Sequence, residues 1–372
     1  MRTRFPPSLC TGLVLVLVTL AVLGNGRVET ADNPGLAPPI DRPALMREHP
    51  ERKALMAVAQ AGKRLVAVGE GGIVILSEDQ GRSWQQVQVP VSVTLTDVAF
   101  VGSKRGWIVG HGGLVLGTRD GGKSWERLID GREVADMALR DVRSRVAEAG
   151  EDVPFELEIE KMRAEADAEG LPKNPLFSVY FTDERSGLVV GAFGTILRTE
   201  DGGESWSLGR STIDSDSHLY AVREIDGRIF VVGERGGFHR SKPGIETFQT
   251  LDPSYEGTYF GIAPLSTKGG FLAFGLNGHG ARGIQNDDGI RWKGFSRMNG
   301  TSLTNGAVLP DGRLALTAVD GTLRLSDDGG DSFEVIETQP PAPLNDLLPM
   351  SDGKILAVGM AGVTLVDAGA AK

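Results

Sequence analysis

The sequence predicts an all-β fold, a seven-bladed β-propeller with a helical insertion between blades 2 and 3. Three observations predict it: a unit of about 40 residues that recurs along the chain, glycine-rich turns between short apolar segments, and an aromatic residue closing most units. The chain has 372 residues, including 51 glycines and one cysteine, and 40% of it is hydrophobic. Closed all-β repeat folds reach this length as one unit, and the apolar fraction excludes a disordered chain.

The repeating unit is clearest in the segments VGEGGIVILSEDQGRSW, VGHGGLVLGTRDGGKSW and VGAFGTILRTEDGGESW. A seventh copy begins at Val358 and stops before its aromatic residue. The aromatic positions of the other six copies lie 41 to 44 residues apart, except for one gap of 81: Trp84, Trp125, Trp206, Phe248, Trp292 and Phe333. The double gap indicates an insertion.

Each unit is predicted to form four short strands bounded by Gly or Asp turns. In the second unit these strands are Leu95–Val101, Gly106–Val109, Leu114–Thr118 and Trp125–Leu128. Such sheets bury both faces only when they pack against one another around an axis, as propeller blades do. Four strands in six units and three in the last make 27. A twenty-eighth would come from the Pro-rich stretch between Asp32 and Pro50; the alternative is an unclosed, three-stranded last blade.

The N-terminus has the pattern of an export signal. Arg2 and Arg4 precede an apolar run from Leu13 to Leu23, which is too short to span a bilayer of about 30 Å. We therefore expect a signal peptide over residues 1–26, an N-terminal segment over 27–53 that either closes the last blade or does not, and the propeller over 54–372. The alternative is an uncleaved N-terminal anchor. Cleavage would leave a soluble chain without cysteine, which excludes disulfides and thiol catalysis.

A second motif falls in the turn between the third and fourth strands. The pattern S/T-x-D-x-G-x-x-W, known as the Asp-box, occurs three times, and once more with Phe as its aromatic residue. The Asp carboxylate can accept main-chain N–H bonds across the turn, and the aromatic ring can fill the edge of the blade. We therefore assign a structural role, and neither a catalytic nor a metal-binding one, to its residues: Asp79, Trp84, Asp120, Trp125, Asp201, Trp206, Asp328 and Phe333.

Asp-boxes also occur in sialidases and other glycan-cleaving propellers, so an enzyme is the alternative. Chemistry resembling that of sialidases would need three arginines around the axis, an acidic proton donor, and a Tyr nucleophile paired with Glu. The chain has four tyrosines and lacks the early Arg-Ile-Pro element of that family. Carboxylate pairs for ordinary glycoside hydrolysis stay open, because distances cannot be derived from the sequence. We predict that the protein is not an enzyme.

The repeats resemble the photosystem II stability/assembly factor family of propellers. The segment Gly106-Trp-Ile-Val-Gly110 with Asp120-Gly-Gly-Lys-Ser-Trp125 carries the resemblance, which extends over residues 54 to 367. It implies a lumenal or periplasmic propeller that holds membrane-protein intermediates during assembly. In a bacterium that does not photosynthesise, the resemblance implies an envelope complex, such as a large transporter, as the partner.

Strand alternation separates the two ends of the propeller. The turns between second and third strands share one end with the connections between blades, opposite to the Asp-boxes. We predict that they ring the mouth of the central channel and form the binding surface; the alternative is that they are solvated turn residues. The candidates are Glu70, His111, Phe193, Glu234, Arg235, His279, Asp320 and Met360. The two histidines lack the spacing of a metal site, so no metal is predicted.

The insertion covers residues 130–174. Val134, Ala138, Val142 and Val146 recur every fourth residue, which predicts a helix ending at Gly150, and a second helix follows from about Glu156 to Ala168. The insertion contains 13 acidic and 7 basic residues. It lies in a connection between blades, hence at the channel-mouth end. It is either a docking element or a helix pair packed on the rim for stability.

The predicted function is therefore a non-catalytic exported scaffold, in the periplasm or a thylakoid lumen, that binds an integral membrane protein or envelope complex. The alternatives are a sialidase-like or other glycan hydrolase or lyase, and a propeller that binds a small ligand. We expect a monomer without cofactors. The net charge of −10 argues against nucleic acid as a partner.

Overall fold

In the part of the chain that the structure describes, seven antiparallel sheets follow one another, six with four strands and the last with three. The structure is a computed structural model that describes residues 36–150, 152–170, 174–209, 217–241, 248–286, 289–293 and 300–369. The predicted signal peptide, 1–26, and residues 27–35 lie outside the described residues. The seven-bladed propeller with a helical insertion between blades 2 and 3 is confirmed.

The first three blades flank the insertion. Blade 1 contains β1 (Leu55–Ala61), β2 (Arg64–Gly69), β3 (Val74–Ser77) and β4 (Gln85–Val87). Blade 2 contains β5 (Leu95–Val101), β6 (Arg105–Gly110), β7 (Leu114–Thr118) and β8 (Glu126–Ile129). The helices α1 (Gly131–Ala149) and α2 (Phe155–Ala168) follow. Blade 3 contains β9 (Leu176–Phe181), β10 (Gly187–Gly191), β11 (Ile196–Thr199) and β12 (Ser207–Leu208).

The remaining blades repeat the same order. Blade 4 contains β13 (Leu219–Ile225), β14 (Arg228–Gly233), β15 (Phe238–Ser241) and β16 (Phe248–Thr250). Blade 5 contains β17 (Tyr259–Pro264), β18 (Gly270–Gly275), β19 (Gly280–Asn286) and β20 (Gly289–Lys293). Blade 6 contains β21 (Leu303–Val308), β22 (Leu314–Ala318), β23 (Thr322–Ser326) and β24 (Glu334–Glu337). Blade 7 contains β25 (Leu344–Pro349), β26 (Lys354–Gly359) and β27 (Gly362–Asp367).

The first strand of every blade lies beside the central axis. Each of these inner strands packs against the inner strand of the next blade, and β25 packs against β1 to close the ring. Buried apolar side chains form seven clusters, one at each interface between neighbouring blades. A sheet that is buried on both faces has a nearly continuous apolar sequence, and the second strands are accordingly apolar over most of their length, as in Leu65–Gly69 and Leu188–Gly191.

No twenty-eighth strand is formed by the described part of the N-terminal segment, residues 36–53. Its main chain bonds instead to the region after β4: Ala44 N donates to Val89 O at 3.0 Å, and Ser92 N donates to Pro39 O at 2.8 Å. The ring is closed by side chains, because Asn345 Nδ2 donates to Leu55 O at 2.8 Å across the junction of blades 7 and 1. Of the two predicted arrangements for the last blade, the described residues therefore show the three-stranded one.

The helical insertion begins against the predicted end of the propeller. Asp130, 1% exposed, is the N-cap of α1: its carboxylate accepts from Arg132 N at 2.9 Å, while Glu133 accepts from Asp130 N at 3.0 Å. Gly131 N donates to Gly112 O at 2.8 Å in the β6–β7 turn. Val134 of the predicted stripe packs against the apolar cluster between blades 2 and 3. The helix ends at Gly150, as its sequence predicts.

Candidate functional site

The second residue of each inner strand faces the mouth of the channel. The first residue of each strand is an apolar anchor with at most 3% exposure, and a shift in strand register follows it in every blade. The bulge and the alternation of side chains turn the next residue away from the buried anchor. These half-buried positions are Met56, Thr96, Phe177, Tyr220, Phe260, Thr304 and Asn345.

The polar residues among them bridge neighbouring blades. Thr96 Oγ1 donates to Leu176 O at 2.6 Å, and Thr304 Oγ1 donates to Leu344 O at 2.8 Å. Together with the bond from Asn345 to Leu55, these contacts tie the starts of the inner strands to one another. This part of the mouth is therefore used to hold the ring together.

Blades 3, 4 and 5 have aromatic rings at the same position. The ring centroid of Tyr220 lies 5.1 Å from that of Phe177 and 5.3 Å from that of Phe260. His218 lies 4.9 Å from Phe193, edge to face, and 6.0 Å from Phe177. We call these five side chains the aromatic cluster. Phe193 is 54% exposed and the other four are half-buried, so the cluster presents an open aromatic surface at the mouth.

Glu234, in the β14–β15 turn, holds the aromatic cluster in place. Its Oε1 accepts a hydrogen bond of 3.1 Å from the Tyr220 hydroxyl, and its Oε2 accepts one of 3.1 Å from His218 N. Burial and the Glu234 charge raise the pKa of Tyr220 above its usual range, so its phenol stays protonated and donates. Phe193 N donates to His218 Nδ1 at 3.1 Å, which orients the imidazole beside the Phe193 ring.

Below the mouth, carboxylates line the wall of the channel. Asp346 Oδ2 accepts from Val58 N at 2.8 Å, and Asp97 Oδ2 accepts from Val179 N at 2.9 Å. Each acid therefore binds the main chain of the neighbouring inner strand. Burial raises the pKa of Asp346 to about 7 and also raises the pKa of Asp97. The positive charge of Arg223 opposes both increases without cancelling them.

A cleft of about 650 Å³ adjoins the aromatic cluster at blade 4. Glu234, Arg235 and Tyr255 line it, together with the buried His239, whose Nδ1 lies 3.1 Å from Thr250 Oγ1. Burial lowers the pKa of His239 to about 4, so this imidazole is neutral at physiological pH.

The structure brings together only some of the predicted binding residues. Phe193 is part of the aromatic cluster, and Glu234 bonds to two of its members. Arg235 lines the cleft, and the ring of His279 stacks on Tyr255 with centroids 5.0 Å apart. The others lie on turns of blades 1, 2, 6 and 7, outside the three blades that carry the cluster: Glu70, His111, Asp320 and Met360. Their binding role stays a prediction.

Sequence reasoning missed the main components of the cluster, Phe177, His218, Tyr220 and Phe260. A signal for three of them was present, because each directly follows the buried apolar residue that opens an inner strand. Aligning the seven inner strands on that residue selects Phe177, Tyr220 and Phe260. His218 precedes its anchor, and only the fold places it beside Phe193.

The four Asp-boxes lie at the other end of blades 1, 2, 3 and 6, and the bond from the Ser or Thr hydroxyl to the Asp carboxylate recurs in all four. In the third box, Asp201 Oδ1 accepts from Thr199 Oγ1 at 2.8 Å and from Ser205 N at 2.9 Å. Trp206 Nε1 donates to Gly203 O at 3.1 Å. Hydrogen bonds from the Ser205 hydroxyl and main chain lower the pKa of Asp201 to about 2, so the carboxylate is ionised at neutral pH. The Trp206 ring packs in the interface with blade 2.

Residues 36–369, apart from the gaps given above, contain neither a membrane-spanning helix nor a metal-binding group. Within them no helix has the length and apolar character needed to cross a membrane. Over the same part of the chain, no three His, Cys, Asp or Glu side chains come together as a metal-binding group.

Fold and site together define a class: a seven-bladed Asp-box propeller with an aromatic surface on one side of its channel mouth. A family model described as photosynthesis system II assembly factor YCF48 matches residues 76–149, from the third strand of blade 1 to the end of α1. The resemblance to assembly-factor propellers that the repeats indicate is thereby confirmed. No curated protein matches the sequence.

Solved structures show the same fold at low identity. YCF48 bound to D1 peptide superimposes with a TM-score of 0.61 and 16% identity, over 88% of this chain and 100% of that one. YCF48 from Cyanidioschyzon merolae gives 0.61 and 18%, over 85% and 95%. The WD40 propeller domain of Doa1 gives 0.60 and 13%, over 89% and 97%. At these identities the likeness establishes the fold.

Proposed function

We propose that the protein is an exported, non-catalytic scaffold that binds a segment of an integral membrane protein or envelope complex at its channel mouth. The single observation that carries the proposal is the aromatic cluster. Five rings on three consecutive blades form a partly exposed surface, and Glu234 fixes two of them through its bonds to Tyr220 and His218. Preorganised aromatic surfaces at the centre of a concave face are typical of protein-binding sites.

The comparison with YCF48 supports a peptide as the ligand, because that propeller has been solved with D1 peptide bound. The apolar run before residue 24 supports export to the periplasm, or to a thylakoid lumen in a photosynthetic host. A large envelope transporter is the partner we propose for a host that does not photosynthesise. We further propose that the protein acts as a soluble monomer after its signal peptide is removed.

The site does not favour the hydrolase alternative. Tyr180 donates a hydrogen bond of 2.5 Å to Glu224, and Tyr220 donates one to Glu234, so both are Tyr–Glu pairs. Burial and the neighbouring carboxylates raise the pKa of both phenols. Both phenols therefore keep their protons at neutral pH, and each pair is accounted for as a structural hydrogen bond between neighbouring elements.

Site-specific photo-crosslinking in the native host would test the proposal. A benzophenone amino acid replaces Phe193 at the channel mouth, and in a matched strain it replaces Arg82, an exposed residue of an Asp-box at the opposite end. We expect an identified integral membrane protein to be crosslinked from position 193 and not from position 82. Adding Phe177→Ala and Phe260→Ala should abolish the crosslink while the protein stays folded.

Three outcomes would refute the proposal: equal crosslinking from both ends, crosslinks to soluble proteins alone, or glycan turnover by the purified protein. Export is tested separately by fractionation and by N-terminal sequencing of the mature chain. A new terminus close to residue 27 is expected, and an unprocessed N-terminus would support the uncleaved anchor instead.

A further inference from the structure

The outer face of α2 is an apolar stripe with no described element covering it. Phe155 is 70% exposed and Met162 is 65% exposed, and both are large hydrophobic side chains. Ile159 is half-buried and Ala166 is exposed. These four residues occur at positions i, i+4, i+7 and i+11, so they lie along one face of the helix. The stripe is about 16 Å long, at 1.5 Å per residue.

The opposite face of α2 packs against α1 and accounts for the stability of the hairpin. Ala164 is buried there, and ion pairs connect the two helices: Arg143 with Glu165 at 3.3 Å, and Arg145 with Glu160. The apolar residues of the stripe are therefore not needed to hold the hairpin together. An exposed apolar stripe on an otherwise polar helix is typical of a helix that binds another helix.

Acidic side chains border the stripe on both sides. Glu158 and Glu169 lie along one edge. Glu156 and Asp167 lie along the other, where the basic Arg163 stands between them and the stripe, and all four acidic side chains are exposed. The whole insertion carries 13 acidic residues against 7 basic ones. Because of this negative charge, a second copy of the same face would be repelled, and so would an anionic membrane surface. A positively charged partner would be attracted.

We propose that the outer face of α2 binds a basic amphipathic helix of a partner protein, with apolar residues opposite the stripe and Lys or Arg opposite its acidic edges. A helix of about three turns matches the length of the stripe. The site is separate from the aromatic cluster, so this proposal does not depend on the peptide-binding role of the channel mouth. It gives the insertion a function as a second contact point.

The test uses the full chain and a fluorescein-labelled synthetic helix of about 18 residues, with Leu at the stripe spacing and Lys beside it. Binding is measured by fluorescence anisotropy. We expect the double variant Phe155→Ser, Met162→Ser to weaken binding at least about tenfold. The variant Glu158→Lys, Glu169→Lys should weaken it as well, and added salt should reduce the affinity of the unaltered chain.

Matched controls remove exposed apolar side chains elsewhere. Val335 and Leu365 are 45% and 44% exposed on blades 6 and 7, and the variant Val335→Ser, Leu365→Ser should bind the helix with unchanged affinity. A probe with Glu in place of Lys should not bind. Circular dichroism checks that every variant keeps its helices.

The proposal is overturned if the unaltered chain does not bind the Lys probe, or if Phe155→Ser, Met162→Ser binds it as tightly as the unaltered chain. Sedimentation provides a further outcome: a dimer that this variant dissociates would assign the stripe to self-association and refute a basic partner. Binding to vesicles with anionic lipid that the variant abolishes would likewise refute it.

Discussion

The indole Nε1 of Trp107, in blade 2, donates a hydrogen bond of 2.9 Å to the main-chain oxygen of Gly202, in the Asp-box of blade 3. The same relationship recurs with arginine as the donor. Arg64 donates to Gly121 O at 2.6 Å between blades 1 and 2, and Arg282 donates to Gly329 O at 2.7 Å between blades 5 and 6. In blades 2, 3 and 6 the Asp-box therefore joins its blade to the preceding one in addition to shaping its own turn.

The Trp107 contact predicts a measurable stability effect. Trp107 is buried and stacks on Phe181, with ring centroids 3.4 Å apart. Trp107→Phe keeps an aromatic ring but removes the donor to Gly202, so we expect the free energy of unfolding to fall by about 1–2 kcal/mol. Urea unfolding measures it. The control Trp84→Phe removes a half-buried bond within a single turn and should cost less; an equal or smaller loss for Trp107→Phe would contradict the inter-blade role.

The hydroxyl of the Asp-box predicts a second effect. Thr199 Oγ1 accepts from Gly203 N at 2.8 Å and donates to Asp201, in a buried position. Thr199→Val has nearly the same shape but leaves the Gly203 N–H without its acceptor, which should cost about 1–3 kcal/mol of unfolding free energy.

Thr199→Ser is the matched control, because serine occupies the same position in the first and fourth Asp-boxes, at Ser77 and Ser326. It should unfold within about 1 kcal/mol of the unaltered protein. Chemical denaturation compares the three proteins directly. If valine and serine behave alike, the hydroxyl is not what holds the turn.

A third prediction concerns the N-terminal segment beside blade 7. Gly362 has φ +90°, and a Cβ there would lie 2.0 Å from Glu51 O. Gly353, in the β25–β26 turn at the other end of β26, has φ +81° and open space around it. Both Gly→Ala variants pay a backbone cost of about 1 kcal/mol, but only Gly362→Ala must also displace residues 51–52.

Gly362→Ala should therefore lower the midpoint of thermal unfolding more than Gly353→Ala does. Hydrogen exchange should show faster exchange in residues 51–54 of the Gly362→Ala variant alone. Equal midpoints and equal exchange would mean that the segment moves aside without loss of stability.

The fourth prediction is a dependence of stability on pH. Burial raises the pKa of the Asp346 carboxyl from 3.8 to about 7, with the charge of Asp97 adding to the effect and that of Arg223 opposing it. The folded state therefore holds this proton more firmly than the unfolded state. The stability from this group is fully present below about pH 4 and is lost as the pH rises through about 7.

Between about pH 4 and about pH 7, the contribution of Asp346 should make the unfolding free energy fall by up to about 1.4 kcal/mol per pH unit. Urea unfolding between about pH 5 and pH 8 measures the slope. Asp346→Asn removes the titration, so its slope should be flatter. The Asp-box carboxylates do not interfere, because the pKa values of Asp79 and Asp201 are lowered to about 2. An identical slope in both proteins would contradict the assignment.

Much of the fold could be predicted from local sequence, and less of the site. The strands of blade 2 agree with their predicted bounds to within one residue, because Gly and Asp turns mark both ends of each strand. Phe193 and Glu234 were selected by strand alternation alone. Phe177, Tyr220 and Phe260 were not, because about 40 residues separate each of them from the next, and only ring closure brings their side chains within contact distance.

The closure of the ring was also predictable from the sequence only in part. The three-stranded seventh sheet was predictable because its repeat ends before the aromatic residue. Residues 39–47, however, bond beside β4, and residues 50–52 contact β27 without adding a strand to that sheet. Strand pairing and turn chemistry act between neighbours in the chain, so the sequence by itself determined the blades, their number and the helical insertion. Contacts between blades depend on which side chains the closed ring brings face to face. The tertiary structure alone therefore decided the aromatic cluster, the side-chain closure by Asn345 and the uncovered face of α2.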